Sequence, residues 1–492
     1  MGSGKLILAE INTWVWMDDL EKKYQKKLTL DQIPENEIDD FVSLGFNAVW
    51  LIGVWTRSPL GRKISQENTG LYEDYSHSLP DWKMEDLPGS PYCIKDYCVD
   101  PHFGGDDALA VFRKQLQNHG IKLFLDFVPN HVAQDHDWIA HHPDYFIAGD
   151  ELELLQYPRE YFQSSTGIFC KGRDPFFPPW QDVAQLNAFS RGYRMESIHV
   201  LEHICEMCDG IRCDMAMLML NRVFTYTWQT RAGANPETEY WEEVITAIRK
   251  THPDTVFIAE AYWDLEWDLL QLGFDFCYDK RLYDRLLHES AGSIRQHIQA
   301  DVSFQNHLLR FIENHDENRI LSQMLPSQMK AASVLASTLP GGLMLYEGQW
   351  EGRKIKNHVL LGRRQVEPAN TEVLLFFKKL NSFVRQLPEN GQWELCNVNG
   401  WYDNQSCQNL IAYHWNLATV HLLIVVNYCP MPSQGRIIIP WSVNNDDNVE
   451  FEDLFGIEPF TRQGSELATE GLFVNLAGWG FHILTVQKGK EK

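Results

Sequence analysis

Short apolar segments alternate with helical patterns through residues 6–348, and this alternation constrains the fold more than any other feature of the chain. Eight segments, each ending in polar or charged residues, have the character of buried strands: residues 6–16, 48–55, 123–131, 210–217, 256–263, 274–280, 311–317 and 342–348. Helical patterns lie between most of them. Strands connected by helices pair in parallel, and eight such units predict an α/β fold of the (β/α)8 or TIM-barrel type.

An open doubly wound sheet is the alternative, but it normally carries a glycine-rich phosphate turn after an early strand, and the sequence has none. Residues 132–195, which we call the insertion, lack the alternation and are rich in proline and aromatic residues. From about residue 387 the pattern is β only. We therefore predict a first barrel part (1–131), the insertion after strand 3 (132–195), a second barrel part (196–386) and a C-terminal antiparallel β-sandwich (387–492).

Charge and composition exclude several function classes. Lysine and arginine number 43 against 67 aspartate and glutamate residues, a net charge of −24, which disfavours binding to nucleic acid or to an anionic membrane. No signal-peptide pattern and no run of about 18 apolar residues occur, and ten cysteines are too few for a disulfide scaffold. The expected compartment is the cytoplasm, and the oligomeric state stays open.

Polar residues follow the predicted strands at their carboxyl ends, where the chemistry of a parallel barrel takes place. Three carboxylates from three different strands are predicted to meet at one mouth. The polar residues are Asp126, Asn130 and His131 after the third strand, Arg212 and Asp214 after the fourth, Glu260 after the fifth, and Glu313, Asn314, His315 and Asp316 after the seventh.

Two of these carboxylates have neighbours that predict different pKa values. Arg212 and Asp214 point to the same side of a strand, so the guanidinium is expected to lower the pKa of Asp214, as a nucleophile needs; a purely structural ion pair is the alternative. Glu260 lies among apolar residues, which raise a carboxyl pKa and suit a general acid; an exposed strand-end glutamate is the alternative. Paired carboxylates of this kind perform glycoside hydrolysis.

Four segments together resemble the signature regions of the α-amylase superfamily, glycoside hydrolase family 13. They are DFVPNH at residues 126–131, GIRCD at 210–214, Glu260 after an apolar strand, and NHD at 314–316. The segment around Tyr92 is similar to the stretch after the second strand of that family. The resemblance covers the whole chain and implies a barrel, an inserted domain B and a C-terminal sandwich.

The resemblance also implies a retaining mechanism on α-glucosidic bonds, with α-1,4 bonds as the expected linkage. Asp214 would be the nucleophile, Glu260 the acid and then the base, and Asp316 the group that binds sugar hydroxyls and stabilises the transition state. The residues implied in substrate binding are Tyr92, His131, Arg212, Trp263 and His315, and those implied in structural support are Asp126 and Asn130.

Departures from the family pattern bear on metals and on substrate contacts. Alpha-amylases commonly have Lys-His where this chain has Met217 and Leu218, which removes an acceptor-side contact. Gln185 stands where an acidic calcium ligand is common, so no cofactor is required, and Asn130 is only a weak calcium candidate. Four histidines, His131, His136, His141 and His142, could suggest another metal site, but packing and surface roles are the expected reading.

The leading hypothesis is hydrolysis of α-glucans or malto-oligosaccharides. The alternative is a transglycosylase, a glucanotransferase or maltosyltransferase, that uses the same catalytic residues and passes the sugar to an acceptor other than water. The charged loop at residues 346–368 could form an acceptor site, or could be a solvated surface loop. A non-catalytic sugar-binding relative is the third reading, disfavoured because every catalytic position is filled.

Overall fold

Eight parallel strands form a closed barrel in the computed structural model, which describes residues 4–389 and 391–488. The predicted TIM barrel is therefore confirmed. Each strand lies beside the strands that precede and follow it in the chain, and the last closes on the first. The barrel strands, numbered one to eight in chain order, are Ile7–Asn12, Ala48–Ile52, Lys122–Phe127, Gly210–Cys213, Val256–Ala259, Phe276–Tyr278, Leu308–Arg310 and Gly342–Tyr346.

The seventh strand differs from the sequence prediction. It covers Leu308–Arg310, whereas residues 311–317 follow it and form the polar turn at the mouth. Arg310 obscured the strand in the sequence because a buried arginine is rare. Its guanidinium is paired inside the protein, with Nη2 donating to Gln305 Oε1 at 3.0 Å and Nε lying 3.5 Å from Asp279 Oδ2.

Helices surround the barrel and begin at residues whose side chains cap them. Asn12, Ser190 and Asn370 accept hydrogen bonds from the first turn of the helix that follows each. The longer helices are Thr13–Tyr24, Glu35–Ser43, Pro59–Glu67, Gly105–Asn118, Arg191–Met207, Asn221–Trp228, Tyr240–Thr251, Lys280–His288, Pro326–Thr338 and Thr371–Val384. The shorter ones are Tyr72–Ser78, Asp137–His141, Glu151–Gln156, Glu266–Gln271, Ala291–His297, Val302–Gln305, Ile320–Gln323 and Gly464–Thr469.

The insertion consists of short elements rather than strand–helix units. Its two small antiparallel pairs join His131–Ala133 to Val183–Gln185 and Tyr161–Gln163 to Ile168–Cys170. A further antiparallel pair, Trp55–Arg57 with Ile94–Val99, follows the second barrel strand. The helix Arg191–Met207 begins inside the range predicted for the insertion and packs back onto the barrel.

The C-terminal region contains two antiparallel sheets that enclose one apolar core, as predicted. Alternate residues of the central strands face this core, and the residues between them pack on the barrel, which is why these strands are almost entirely apolar. The strands are Gln392–Leu395, Leu410–Asn416, Val420–Asn427, Asn448–Asp453, Phe460–Gln463 and Phe481–Gln487 in one sheet and Val398–Asn399, Ser433–Ile437 and Leu472–Leu476 in the other. Among the described residues, no helix combines the length and apolarity needed to cross a bilayer.

Candidate active site

Strand register places Asp214 and Glu260 side by side at the rim of the barrel. Cys213 pairs with Ala259 in the adjacent strand, so Asp214 and Glu260 are the next residues on each side. Their backbone N–H groups continue the ladder: Asp214 donates to Phe127 O at 2.8 Å and Glu260 donates to Cys213 O at 3.1 Å. Because neighbouring strands lie about 4.8 Å apart, the two carboxyl groups leave the sheet at one level and at close range.

A single buried guanidinium contacts three carboxyl groups. Arg212 Nη1 lies 2.7 Å from Asp214 Oδ1 and 3.3 Å from Asp126 Oδ1, while Nη2 lies 2.7 Å from Glu260 Oε2. Asp126 is the direct cross-strand partner of Arg212. All four side chains are buried. Asp126 thus contacts Arg212 directly, and the supporting role that the resemblance implied for it stays a prediction.

Burial dominates the pKa values of these acids. It raises the pKa of Asp214 although Arg212 opposes the shift, and it raises the pKa of Glu260 to about 7 and that of Asp126 to about 6. Arg212 acts on the pKa of Asp214 in the predicted direction, but desolvation outweighs the guanidinium, so the net shift is upward rather than downward. The prediction for Glu260 was right in direction but missed Arg212, which contacts this carboxyl group as well.

The two oxygens of Glu260 have different partners. Oε2 faces Arg212 Nη2 and accepts the backbone N–H of Met215 at 2.6 Å. Within the part of the chain that the structure describes, Oε1 accepts only the Tyr262 hydroxyl, at 2.9 Å. Met215 has a left-handed φ of 44°, part of the tight turn that aims its N–H at the carboxyl group. The negative charge is therefore best stabilised on Oε2, and a proton on this group belongs on Oε1.

Asp316 and His315 complete the acidic cluster from the seventh strand. His315 Nε2 lies 3.2 Å from Asp316 Oδ2 and 2.7 Å from the Tyr92 hydroxyl. Asp316 raises the pKa values of Asp214 and Glu260, which places its charge close to both. Its side chain is 48% exposed, so Asp316 is the member of the cluster that reaches solvent.

Glu10 is a site residue that the sequence analysis missed. It is fully buried in the first strand, and its Oε1 accepts the His315 backbone N–H at 3.0 Å and His315 Nδ1 at 2.6 Å. Burial alone would lower the pKa of His315, but the carboxylates of Asp316 and Glu10 raise it to about 9. The imidazole is thus a cation at neutral pH. The sequence feature that could have identified Glu10 as a site residue is its position as a lone glutamate inside an apolar strand.

Aromatic rings surround the guanidinium of Arg212. Its Cζ lies 4.9 Å from the Trp50 ring centroid, 5.4 Å from that of Tyr92 and 5.8 Å from that of Tyr278. Tyr92, to which the resemblance gave a role in substrate binding, therefore lies beside Arg212, and Trp50 and Tyr278 are additional neighbours of this cation. These rings limit access of water to the cation and strengthen its contacts with the acids.

Two further predicted binding residues, His131 and Trp263, contact residues of the insertion. His131 contacts Asn130 and packs on Trp180, with ring centroids 5.0 Å apart, and burial lowers its pKa to about 3, so it is neutral. Trp263 is 38% exposed and packs edge-on against Phe176, which is 61% exposed, with centroids 4.9 Å apart. Together Trp263 and Phe176 join the loop after the fifth strand to the insertion.

The residues at the expected calcium position do not fit the ion. Asn130 and Gln185 bind each other through their side-chain amides, and Gln185 Nε2 donates to the oxygens that a cation would need. The histidine-rich segment is used in packing and capping: His136 Nδ1 accepts the Trp138 N–H, and His142 stacks on Tyr145. Within the described residues, the group of potential metal ligands that lie within 4.8 Å of one another is Cys98, Asp106 and His203, outside this segment.

Comparisons with known proteins agree with this geometry. Residues 35–375 match the family model described as "Alpha amylase, catalytic domain". The alpha-amylase MalA of Haloarcula japonica is 24% identical over 49% of this chain and 33% of its own length. The 1,4-alpha-glucan branching enzyme GlgB of Nitrosococcus oceani is 23% identical over 84% of this chain and 54% of its own length. An alpha-1,4-glucan:maltose-1-phosphate maltosyltransferase of Burkholderia pseudomallei is 24% identical over 53% of this chain and 21% of its own length. The chain thus spans about half or less of these relatives.

Solved structures are similar over nearly the whole chain. The maltogenic alpha-amylase AmyB of Thermotoga neapolitana superimposes with a TM-score of 0.70, 17% identity and coverage of 98% of this chain and 99% of its own. An alpha-amylase from Lactobacillus plantarum gives a TM-score of 0.70, 17% identity and coverage of 98% of each chain. At this identity the likeness concerns the fold, including the order of barrel and C-terminal sheets.

Proposed function

This chain belongs to the alpha-amylase family, and from that premise we propose that it is a retaining enzyme that cleaves α-glucosidic bonds in malto-oligosaccharides or other α-glucans. The observation that carries the proposal is the Arg212 guanidinium, which holds Asp214 on one nitrogen and Glu260 on the other. Retaining glycosidases use two carboxyl groups about 5–5.5 Å apart. The position of Asp214 and Glu260 on neighbouring strands, both in contact with one guanidinium, supports a separation in this range.

In the first step, Asp214 attacks the anomeric carbon of the bound sugar. Its Oδ1 contacts Arg212 Nη1, which leaves Oδ2 as the nucleophilic oxygen. As the new C–O bond forms, the bond to the glycosidic oxygen breaks, and that oxygen takes the proton from Glu260 Oε1. The products are a β-glycosyl ester on Asp214 and a free sugar with a new hydroxyl group.

In the second step, Glu260 acts as a base. It removes a proton from a water molecule or an acceptor hydroxyl, whose oxygen attacks the anomeric carbon and displaces Asp214. Two inversions leave the α configuration in the product. Asp316 would bind ring hydroxyls, and its negative charge would stabilise the positive charge that develops on the sugar. His315, which lies 3.2 Å from Asp316 Oδ2, would bind a sugar hydroxyl.

Transfer to a sugar acceptor is the second candidate function, favoured by the loop at residues 346–368. Most of its cations are paired within the protein, Arg353 with Glu351, Arg363 with Asp86 and Arg364 with Asp19. Lys356 instead donates to the backbone oxygen of Asp316. The loop is therefore fastened to the mouth of the site, where an acceptor sugar would bind.

Incubation with maltoheptaose tests both functions. Only shorter products indicate hydrolysis, and longer products indicate transfer. Proton NMR of the first products should show the α anomer. An initial β product would overturn the retaining mechanism, and a panel of α-glucans and disaccharides that gives no product at all would overturn the proposed activity.

The pKa of Glu260 predicts the alkaline limb of the pH profile. The free enzyme must have Glu260 protonated, and burial raises the pKa of this group to about 7, so kcat/KM should fall about tenfold per pH unit above pH 7. A nitrophenyl α-maltoside, whose leaving group needs no proton, should show a much weaker fall. Identical alkaline limbs for maltoheptaose and the nitrophenyl substrate would contradict the role of Glu260.

Trp263 is expected to act as a binding platform at the mouth. It has a left-handed φ of 64°, and the next residue, Asp264, is fixed by two hydrogen bonds from Arg281. Trp263→Ala should raise KM for maltoheptaose about three- to tenfold with little change in kcat, because stacking contributes about 0.5–1.5 kcal/mol. Trp267→Ala is the matched control, since Trp267 is exposed but packs on Phe304. Equal effects of the two substitutions would refute the platform.

A further inference from the structure

Gln185 occupies a structural junction between the barrel and the insertion. It is the last residue of the strand Val183–Gln185 and is fully buried. In the antiparallel pair it lies opposite His131, which follows Asn130 in the segment after the third barrel strand. This is the position where related amylases commonly place an acidic residue on a calcium ion.

The polar atoms of Gln185 are fully used. The two N–H groups of Nε2 are shared among three acceptors: the backbone oxygen of Asn130 at 3.0 Å, Asn130 Oδ1 at 2.9 Å and the backbone oxygen of Leu186 at 3.0 Å. Oε1 accepts Asn130 Nδ2 at 3.3 Å and the backbone N–H of Arg173 at 3.2 Å. The two side-chain amides therefore form a reciprocal pair, and a third segment, at Arg173, is joined to it.

This donor set is incompatible with a calcium ion. Calcium takes six to eight oxygen ligands at about 2.3–2.6 Å, generally including carboxylates. Here three oxygens converge on an NH2 group, and the partners of that amide include no carboxylate. A cation could enter only by displacing the amide, which would leave its N–H groups buried without acceptors.

We propose that the Gln185 amide replaces a structural calcium ion, so that the junction between the barrel and the insertion is held by neutral hydrogen bonds and does not depend on calcium. The same pair positions His131, because Asn130 Nδ2 also lies 3.3 Å from His131 Nδ1. Stability and metal content, rather than activity, are therefore the direct readouts.

Thermal unfolding in excess EGTA and in excess calcium chloride tests the proposal on the unmodified protein. The Tm values should agree within about 1 °C, since a ligand that does not bind cannot shift the equilibrium. Elemental analysis of the purified protein should find less than stoichiometric calcium. A Tm that falls in EGTA and recovers with calcium would overturn the proposal.

Two substitutions separate an amide junction from a latent ion site. Gln185→Leu removes the hydrogen bonds without adding a ligand, so its Tm should fall by about 5 °C or more and should not recover with calcium. Gln185→Asp places a carboxylate among carbonyl oxygens, so its Tm should fall in EGTA and rise again with calcium. Recovery of Gln185→Leu with calcium, or no loss of Tm in that variant, would refute the role of the amide.

Discussion

Asp214→Asn should reduce kcat for maltoheptaose by about four orders of magnitude or more, which is the typical loss when a nucleophile is removed. The amide is nearly isosteric and retains an oxygen for Arg212 Nη1, so the geometry of the cluster should be kept. It lacks the charge that attacks the anomeric carbon and cannot form the ester. Reducing-sugar release gives kcat, and equilibrium binding of maltoheptaose should change little.

Asp301→Asn is a matched control for this substitution. Asp301 is exposed and caps the helix Val302–Gln305, and asparagine caps helices as well as aspartate does. It should leave kcat and Tm unchanged. An Asp214→Asn enzyme with activity within tenfold of the unmodified protein would contradict the assignment of the nucleophile.

Arg212→Met should lower the free energy of unfolding at neutral pH by about 3–5 kcal/mol, the usual cost of removing one partner from a buried ion cluster. Asp126, Asp214 and Glu260 would then face one another without a cation. Urea unfolding followed by fluorescence measures the loss. Arg212→Lys should recover only part of it, because one ammonium cannot contact both Asp214 and Glu260 as the two nitrogens of a guanidinium do.

The loss of unfolding free energy caused by Arg212→Met should increase as the pH rises. Without the cation, the pKa values of the three carboxyl groups rise further, so the folded protein binds more protons than the unfolded chain. Stability then falls as pH rises, and the deficit relative to the unmodified protein should be larger at pH 8 than at pH 5. A deficit that is constant between these pH values would contradict the charge assignment.

The barrel was predictable because its signal is local. Eight apolar segments separated by helical patterns recur along the chain, and each strand is built from residues within a few positions of one another. The seventh strand was misplaced because the charge of Arg310 is balanced by Asp279 and its guanidinium donates to Gln305, contacts that exist only after folding. A charged residue inside a short strand hides that strand from any pattern based on apolarity.

The site was predictable only where residues end a strand. Asp214 and Glu260 stand out for that reason, whereas Glu10, Trp50 and Tyr278 lie inside apolar strands and look like core residues. Their roles depend on strand register across the barrel, which the sequence does not specify. The ion pairs of the site were equally hidden. The spacing of Arg212 and Asp214 predicts one contact between them, but it does not predict that the same guanidinium contacts Asp126 and Glu260 as well.

The placement of Asp214 and Glu260 on neighbouring strands has a consequence for how such a scaffold diversifies. The two carboxyl groups are positioned largely by the ladder between the strands and by one shared cation, and both of these features lie within the barrel. Exchange of the loops can therefore change which sugars enter the site without changing the positions of the two carboxyl groups. The reaction and the substrate selectivity therefore depend on different parts of the fold. To obtain a new product, a protein engineer would change the loops and keep the barrel strands.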